Sequence, residues 1–336
     1  MFDQVDWLPV VFIGLMSLSF LIYAILDGYD LGVGVLLPTE SDGDIQSQRD
    51  MMIYSIGPFW DANETWLVLA VGLLLIAFPE AHSIVLQALY LPVAIMLAGL
   101  ILRGVAFDFR TKAASKNKRT WDLAFKAGSL LATLMQGYML GRYVLGFETG
   151  VTSYLFAVLS AVCVTAGYCF IGSAWLVMKT TGQLQQKAAK WCSNSAWLTV
   201  IGIIAISITN VLLSPEIFQK WLGVPQVLVL APIPLLLAFL FFTCIKYLRA
   251  VPVENDYGCW WPFASTCLIF VLCFLGLAYS YFPYVVLNQL TIWQAASARE
   301  SLMFIFYGAA IVLPTILAYT AFSYKVFWGK ATKLDY

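Results

Sequence analysis

Nine stretches of this chain are each long and apolar enough to cross a bilayer, and that leaves little choice of architecture. A helix needs about 20 mainly apolar residues to span a hydrocarbon core. Such stretches fall at 8–37, 52–78, 82–109, 121–145, 152–178, 192–213, 226–248, 260–282 and 301–328. Lipid offers backbone groups no partner, so spanning segments must be helices or closed barrels. Stretches of this length predict an all-α polytopic membrane protein of about nine helices. Composition agrees: 61% of the 336 residues are hydrophobic and 11% charged, against roughly 45–50% and 25% in soluble domains. The connections are short, so the chain reads as a single membrane domain. The N-terminus MFDQVDWLPV is acidic and lacks a signal peptide's basic region, so the first stretch is expected to be retained. Net charge is zero, which gives no argument for nucleic acid as a partner; the lipid bilayer is the expected one.

Lys and Arg are retained on the cytoplasmic side. Arg49, Arg110, Lys112, Lys116, Lys118, Arg119, Lys179, Lys187, Lys190, Lys246, Arg249, Lys325, Lys330 and Lys333 fall on one side of a nine-helix arrangement, against Lys220 and Arg299 on the other. That places the N-terminus outside and the C-terminus inside. The inward loop TESDGDIQSQRD is acidic, but acids weigh little in this rule. LRGV (102–105) and LRAV (248–251) lie four helices apart, a spacing that two four-helix units plus a ninth helix would give and that chance explains as well.

Charges inside the stretches carry the functional information, because each costs about 2.5–3.5 kcal/mol at a helix centre on insertion scales. They form three groups: Asp27 and Asp30 in LDGYDLGVG, Asp61 and Glu64 in WDANETW, and Arg103, Asp108 and Arg110 in LRGVAFDFR. Each acid pair is spaced i,i+3 and shares a helix face. With the second helix starting at residue 52, Asp61 lies roughly 15 Å into the membrane at 1.5 Å per residue, at a depth like that of Asp27. Clustered carboxylates at low dielectric can hold and release protons, which reads as a proton-uptake path. The same acids can instead hydrogen-bond between helices or pair with Arg103 and only hold the bundle together. The arginines of LRGVAFDFR, near a cytoplasmic helix end, are read as snorkelling to headgroups, with Arg103 the best candidate exception. The glycine spacings GYDLG (28–32) and GYMLG (137–141) indicate close helix contact.

The single histidine, His82 in FPEAH, excludes a bis-histidine haem on this chain alone, and a short outer turn is a poor place for a His/Met haem. The seven cysteines contain no CxxC and are read as buried, reduced thiols; no metal site is expected. No Walker, GxGxxG or HExxH motif is present, so nucleotide hydrolysis and zinc proteolysis lack their apparatus.

DGYDLGVGVLLP (27–38), GPFWDANETWLVLAVGLLLIAFPEA (57–81), RGVAFDFR (103–110) and YTAFSYKVFWGK (319–330) together resemble subunit II of cytochrome bd-type ubiquinol oxidases; the short loops are similar to the compact, cyanide-insensitive branch. The resemblance implies two four-helix bundles (1–145 and 152–282) and a peripheral helix (301–328). It implies haem b and haem d on a partner, subunit I, in an obligate heterodimer of the bacterial inner membrane, and no catalytic residue on this chain. Such a complex oxidises ubiquinol at the outer face and reduces dioxygen to water. It draws protons from the cytoplasm without pumping. Asp27 and Asp61 match proton-path aspartates of the family, with Glu64 at a position that alternates between acid and amide. Asp30, Trp60, Asn63, Arg103 and Asp108 are expected in structural or interface roles. Phe59 stands where some members have a polar residue, and Gln294 where many have an aspartate. Some members carry a structural ubiquinone on subunit II, and a small accessory membrane subunit is a further candidate partner. Two other readings stand beside this one: a proton-coupled secondary transporter, with a substrate cavity at midplane, and a structural membrane subunit whose acids only pack helices.

Overall fold

A computed structural model describes residues 6–39, 43–113, 117–213 and 215–332; Lys116 and Lys333 of the orientation argument lie outside them. The helices are α1 (Trp7–Leu36), α2 (Gly43–Ile56), α3 (Trp60–Ala77), α4 (Pro79–Lys112), α5 (Lys118–Val144), α6 (Val151–Lys179), α7 (Gly182–Leu213), α8 (Pro215–Leu222), α9 (Gln226–Leu230), α10 (Pro232–Ala250), α11 (Trp261–Tyr281), α12 (Ile292–Ala295) and α13 (Arg299–Val326). Among the described residues, eight helical segments are long and apolar enough to cross a membrane. The ninth expected stretch is α5, which has 27 residues but carries Asp122, Lys126, Gln136 and Arg142.

Two stretches read as single helices are interrupted. Residues 52–78 split between α2 and α3 at Gly57–Phe59, and 226–248 split between α9 and α10 at Ala231. Both breaks precede or contain a proline, Pro58 or Pro232, whose nitrogen has no hydrogen for the helix ladder. The first break corrects the expected depth of Asp61, which lies in the first turn of α3, not ten residues into a continuous helix. An acid there is favoured by the helix dipole.

The fold is two four-helix sets with a peripheral helix. Helix α1 packs on α3, α5, α6 and α11, joining the sets, while α4–α5, α5–α6, α6–α7 and α10–α11 pack as neighbours. The glycine motifs serve these contacts. A Cβ on Gly32 would stand 1.8 Å from the Tyr168 carbonyl oxygen of α6, and one on Gly137 2.6 Å from Ala161 Cα. Helix α13 is peripheral, with Leu302 and Leu313 its buried residues. Between α11 and α12, strands β1 (Tyr284–Val286) and β2 (Leu290–Thr291) pair antiparallel. They pack with α12 under the start of α1, where Leu8, Phe12, Val286, Leu290 and Ile292 share a core. Gln294 closes a capping box there with Thr291.

All seven cysteines are free; Cys169, Cys192 and Cys244 are buried, while Cys163, Cys259, Cys267 and Cys273 are half-buried, so the buried expectation holds for three. Arg249, which the LRAV match sets beside Arg103, is exposed at the end of α10 and has no comparable surroundings.

Candidate functional site

The buried face of α1 between Asp27 and Asp30 meets α3 and α4 at one guanidinium. Arg103 Nη2 donates to Asp27 Oδ1 and to Glu64 Oε1, each at 2.7 Å. The Arg103 and Asp27 side chains are 1% and 0% exposed, and Glu64 is 32% exposed. Trp60 covers the group, its ring centroid 5.9 Å from Arg103 Cζ and packed on Phe107 at 4.8 Å. Arg103 is thus the exception to the snorkelling reading, since two carboxylates pair with its Nη2 inside the bundle. The i,i+3 pairs divide their labour. Glu64 turns inward to Arg103, while Asp61 is exposed.

Asp30 is also fully buried. Its Oδ2 accepts from Asn63 Nδ2 at 2.7 Å, and that amide also points at Tyr29 Oη, 3.0 Å away, and at the Leu26 carbonyl, 3.3 Å away. Tyr29 Oη lies 2.7 Å from Tyr324 Oη of α13. Phe59 stacks on Tyr324, centroids 4.6 Å apart, and Trp175 stacks on Tyr29 at 4.2 Å. The apolar residue at position 59 therefore walls this polar ring.

The model of cytochrome bd terminal oxidase subunit II matches residues 8–327. The chain belongs to that family. It is 28% identical to cytochrome bd-I ubiquinol oxidase subunit 2 of Escherichia coli (strain K12), over 93% of this chain and 92% of that one. It is likewise 28% identical to cytochrome bd ubiquinol oxidase subunit 2 of Bacillus subtilis (strain 168), over 93% and 94%. Its fold is similar to the bd oxidase structure from Geobacillus thermodenitrificans, with a TM-score of 0.76 at 17% identity, covering 96% of this chain and 99% of that one.

In this subunit II a second buried ionic group, which sequence reasoning missed, lies two turns further along α4. Arg110 donates through Nε to Asp122 of α5 and through Nη2 to Asp50 of α2 at 2.8 Å. Arg49 of α2 reaches Asp122 Oδ2 at 3.3 Å and the Pro38 carbonyl at 2.9 Å, and Lys118 Nζ lies 3.8 Å from Asp50. Arg110 is thus buried and paired as well, against the snorkelling expectation. The available signal was Asp122, a lone acid at the head of an apolar stretch. Asp108 is exposed.

The residues present do not fit a haem. His82 stands half-buried in the first turn of α4, and no group of three or more His, Cys, Asp or Glu that could hold a metal ion occurs among the described residues. Nor do they fit a quinone tail in the cleft between α2 and the α6–α7 turn. That cleft, of about 260 Å³, has a mixed lining that includes Gln48, Lys179 and Lys330 beside Met51 and Leu184, with two ammonium groups where an isoprenoid chain would need an apolar wall.

Proposed function

We propose that this subunit II feeds cytoplasmic protons to the oxygen-reducing site of its haem-bearing partner in a ubiquinol-oxidising bd complex, and that it supports assembly of that complex. The observation that carries the reading is the inward sequence of three carboxyls. Asp61 is exposed, Glu64 is half-buried and Asp27 is buried, and the last two meet on one guanidinium. Charged groups inside a membrane span are rare and usually mark a pathway or a paired site, and Arg103 offsets part of the negative charge these carboxyls bring into the span. The haems b and d belong to the partner, and when bound there they supply electron transfer and oxygen chemistry. The chain lies in the inner membrane in an obligate heterodimer, N-terminus outside, with units 1–145, 152–282 and 301–328. A structural ubiquinone and an accessory subunit remain outside this reading.

One observation favours a scaffold role instead: Arg103 pairs with both Asp27 and Glu64, as a bundle-holding ion pair would. Oxygen consumption per haem in purified complexes of Asp27→Asn and Asp61→Asn separates the two. Proton delivery predicts slowed turnover at unchanged haem content. A scaffold predicts less complex with wild-type turnover in what remains.

A further inference from the structure

Asp30 stands one helical turn from Asp27, and the pathway just described makes no use of it. Three buried or half-buried carboxyls, Asp27, Asp30 and Glu64, act on the single guanidinium of Arg103. If all were ionised, the set would carry two uncompensated negative charges inside the span, each costly there. A proton kept on one of the three carboxyls halves that excess. Geometry says which one. Asp27 and Glu64 each hold Arg103 at 2.7 Å. Among the described residues Asp30 makes no salt bridge, and its one hydrogen-bond partner is the neutral Asn63 amide, at Oδ2. Its Oδ1 is buried with no partner among the described residues; Asp27 Oδ2 is likewise unpartnered, but that carboxyl is held to Arg103 as an ion pair. With Asp30 Oδ2 held as an acceptor, Asp30 Oδ1 is the oxygen free to carry the hydrogen.

The Asn63 amide is held in that orientation by a closed ring. Its second hydrogen points at Tyr29 Oη, Tyr29 Oη lies 2.7 Å from Tyr324 Oη, and Tyr324 Oη donates to Asn63 Oδ1 at 3.4 Å. Every hydroxyl is satisfied when hydrogens run one way: Asn63 N–H to Tyr29, Tyr29 O–H to Tyr324, Tyr324 O–H to the Asn63 carbonyl. A flipped amide would lose the donor to Asp30. Tyr324 is brought to the ring by the end of α13, which is anchored on α6. Lys179 Nζ donates to the Phe327 carbonyl at 2.7 Å, and Ala331 N donates to the Lys179 carbonyl at 2.8 Å. The titratable and charged groups facing Asp30 are Asp27 and Tyr29 on α1, Glu64 on α3, Arg103 on α4 and Tyr324 on α13. Tyr168 of α6 lies beyond them against Asp27, and Cys267 of α11 against Tyr324.

We propose that Asp30 is the carboxyl that holds the cluster's resident proton, and that Tyr324 is a positioning residue that fixes it in that role through Tyr29 and Asn63. The proposal rests on the proton-delivery reading for the use of that proton. Infrared spectroscopy of the purified two-subunit complex tests it through the carbonyl stretch of a neutral carboxylic acid. The band is expected to be lost in Asp30→Asn and retained in Asp27→Asn and Glu64→Gln. Tyr324→Phe removes one oxygen from a half-buried side chain and serves should Asp30→Asn fail to assemble. It is expected to shift the band and the pH profile of turnover, and Tyr29→Phe to do the same. A structural role alone would change only the amount of complex. A band that survives Asp30→Asn, or disappears in Glu64→Gln, overturns the proton assignment. An unmoved band and pH profile in Tyr324→Phe overturn the positioning role. Wild-type turnover in Asp27→Asn and Asp61→Asn, with the band still lost in Asp30→Asn, would refute the delivery reading while leaving the resident proton in place.

Discussion

Helix α4 buries two arginines two turns apart, and the company each keeps is opposite in charge balance. Arg103 meets an excess of acid, with Asp27 and Glu64 in contact and Asp30 close by. Around Arg110 the cations are in excess, since Arg110, Arg49 and Lys118 share Asp122 and Asp50. A set with more carboxyls than cations is electrically comfortable only when it carries protons, and it can therefore exchange them. A set with enough cations for every carboxylate has no such need. It joins α2, α4 and α5 at one end of the bundle as a clamp. The same types of side chain thus form two groups of opposite charge balance, and that balance is why the proton-handling role proposed above falls to the Arg103 group and the fastener role to the other.

The largest expected effects come from breaking either arginine. Arg103→Met strands the buried Asp27 carboxylate and is expected to cost about 3–5 kcal/mol, read as loss of haem-bearing complex recovered from membranes; Arg110→Met leaves Asp122 to Arg49 and Asp50 to Lys118 and is expected to cost less. The comparison sharpens when charge is removed in balance, because neutralising a whole buried group is often tolerated. Arg103→Met with Asp27→Asn and Glu64→Gln is expected to restore much of the assembly but not the turnover per haem. Next in size is the contrast between half-buried acids. Glu64→Gln should lower turnover per haem by at least about tenfold, a modest share of what a positioned proton-transfer group contributes. Asp50→Asn should leave turnover unchanged and cost within about 1 kcal/mol, as a partly exposed pair does, measured by thermal unfolding of the complex. Smallest is Asp108→Asn. The side chain is exposed, so stability should stay within about 0.5 kcal/mol; loss of partner subunit on purification would instead mark Asp108 as an interface residue.

Much of this was legible in the sequence. Stretch length gave the helices, and the rarity of charge in them pointed to Asp27, Glu64 and Arg103. Pairing of the acids with Arg103 is among the readings the sequence supports; the partners of Arg110 and the register of Asp61 are not. Asp61 opens α3 instead of lying ten residues into one continuous helix, because the helix is broken at Gly57–Phe59, where Pro58 has no hydrogen for the ladder. Arg110 and Asp122 are 12 residues apart and on different helices, and Tyr324 is 261 residues from Asn63. Such partners are set by tertiary packing, and no local periodicity announces them. The glycine motifs were the exception, since close approach of helices has a local signature that the Gly32 contact with α6 fulfils.

The most direct measurement is proton uptake during a single turnover. Quinol-reduced complex is mixed with oxygen in a weakly buffered medium containing a pH dye, comparing wild type, Glu64→Gln and Asp50→Asn at matched haem content. The account predicts slowed uptake in Glu64→Gln and wild-type uptake in Asp50→Asn. Equal rates in all three would contradict it and leave both arginine groups as fasteners.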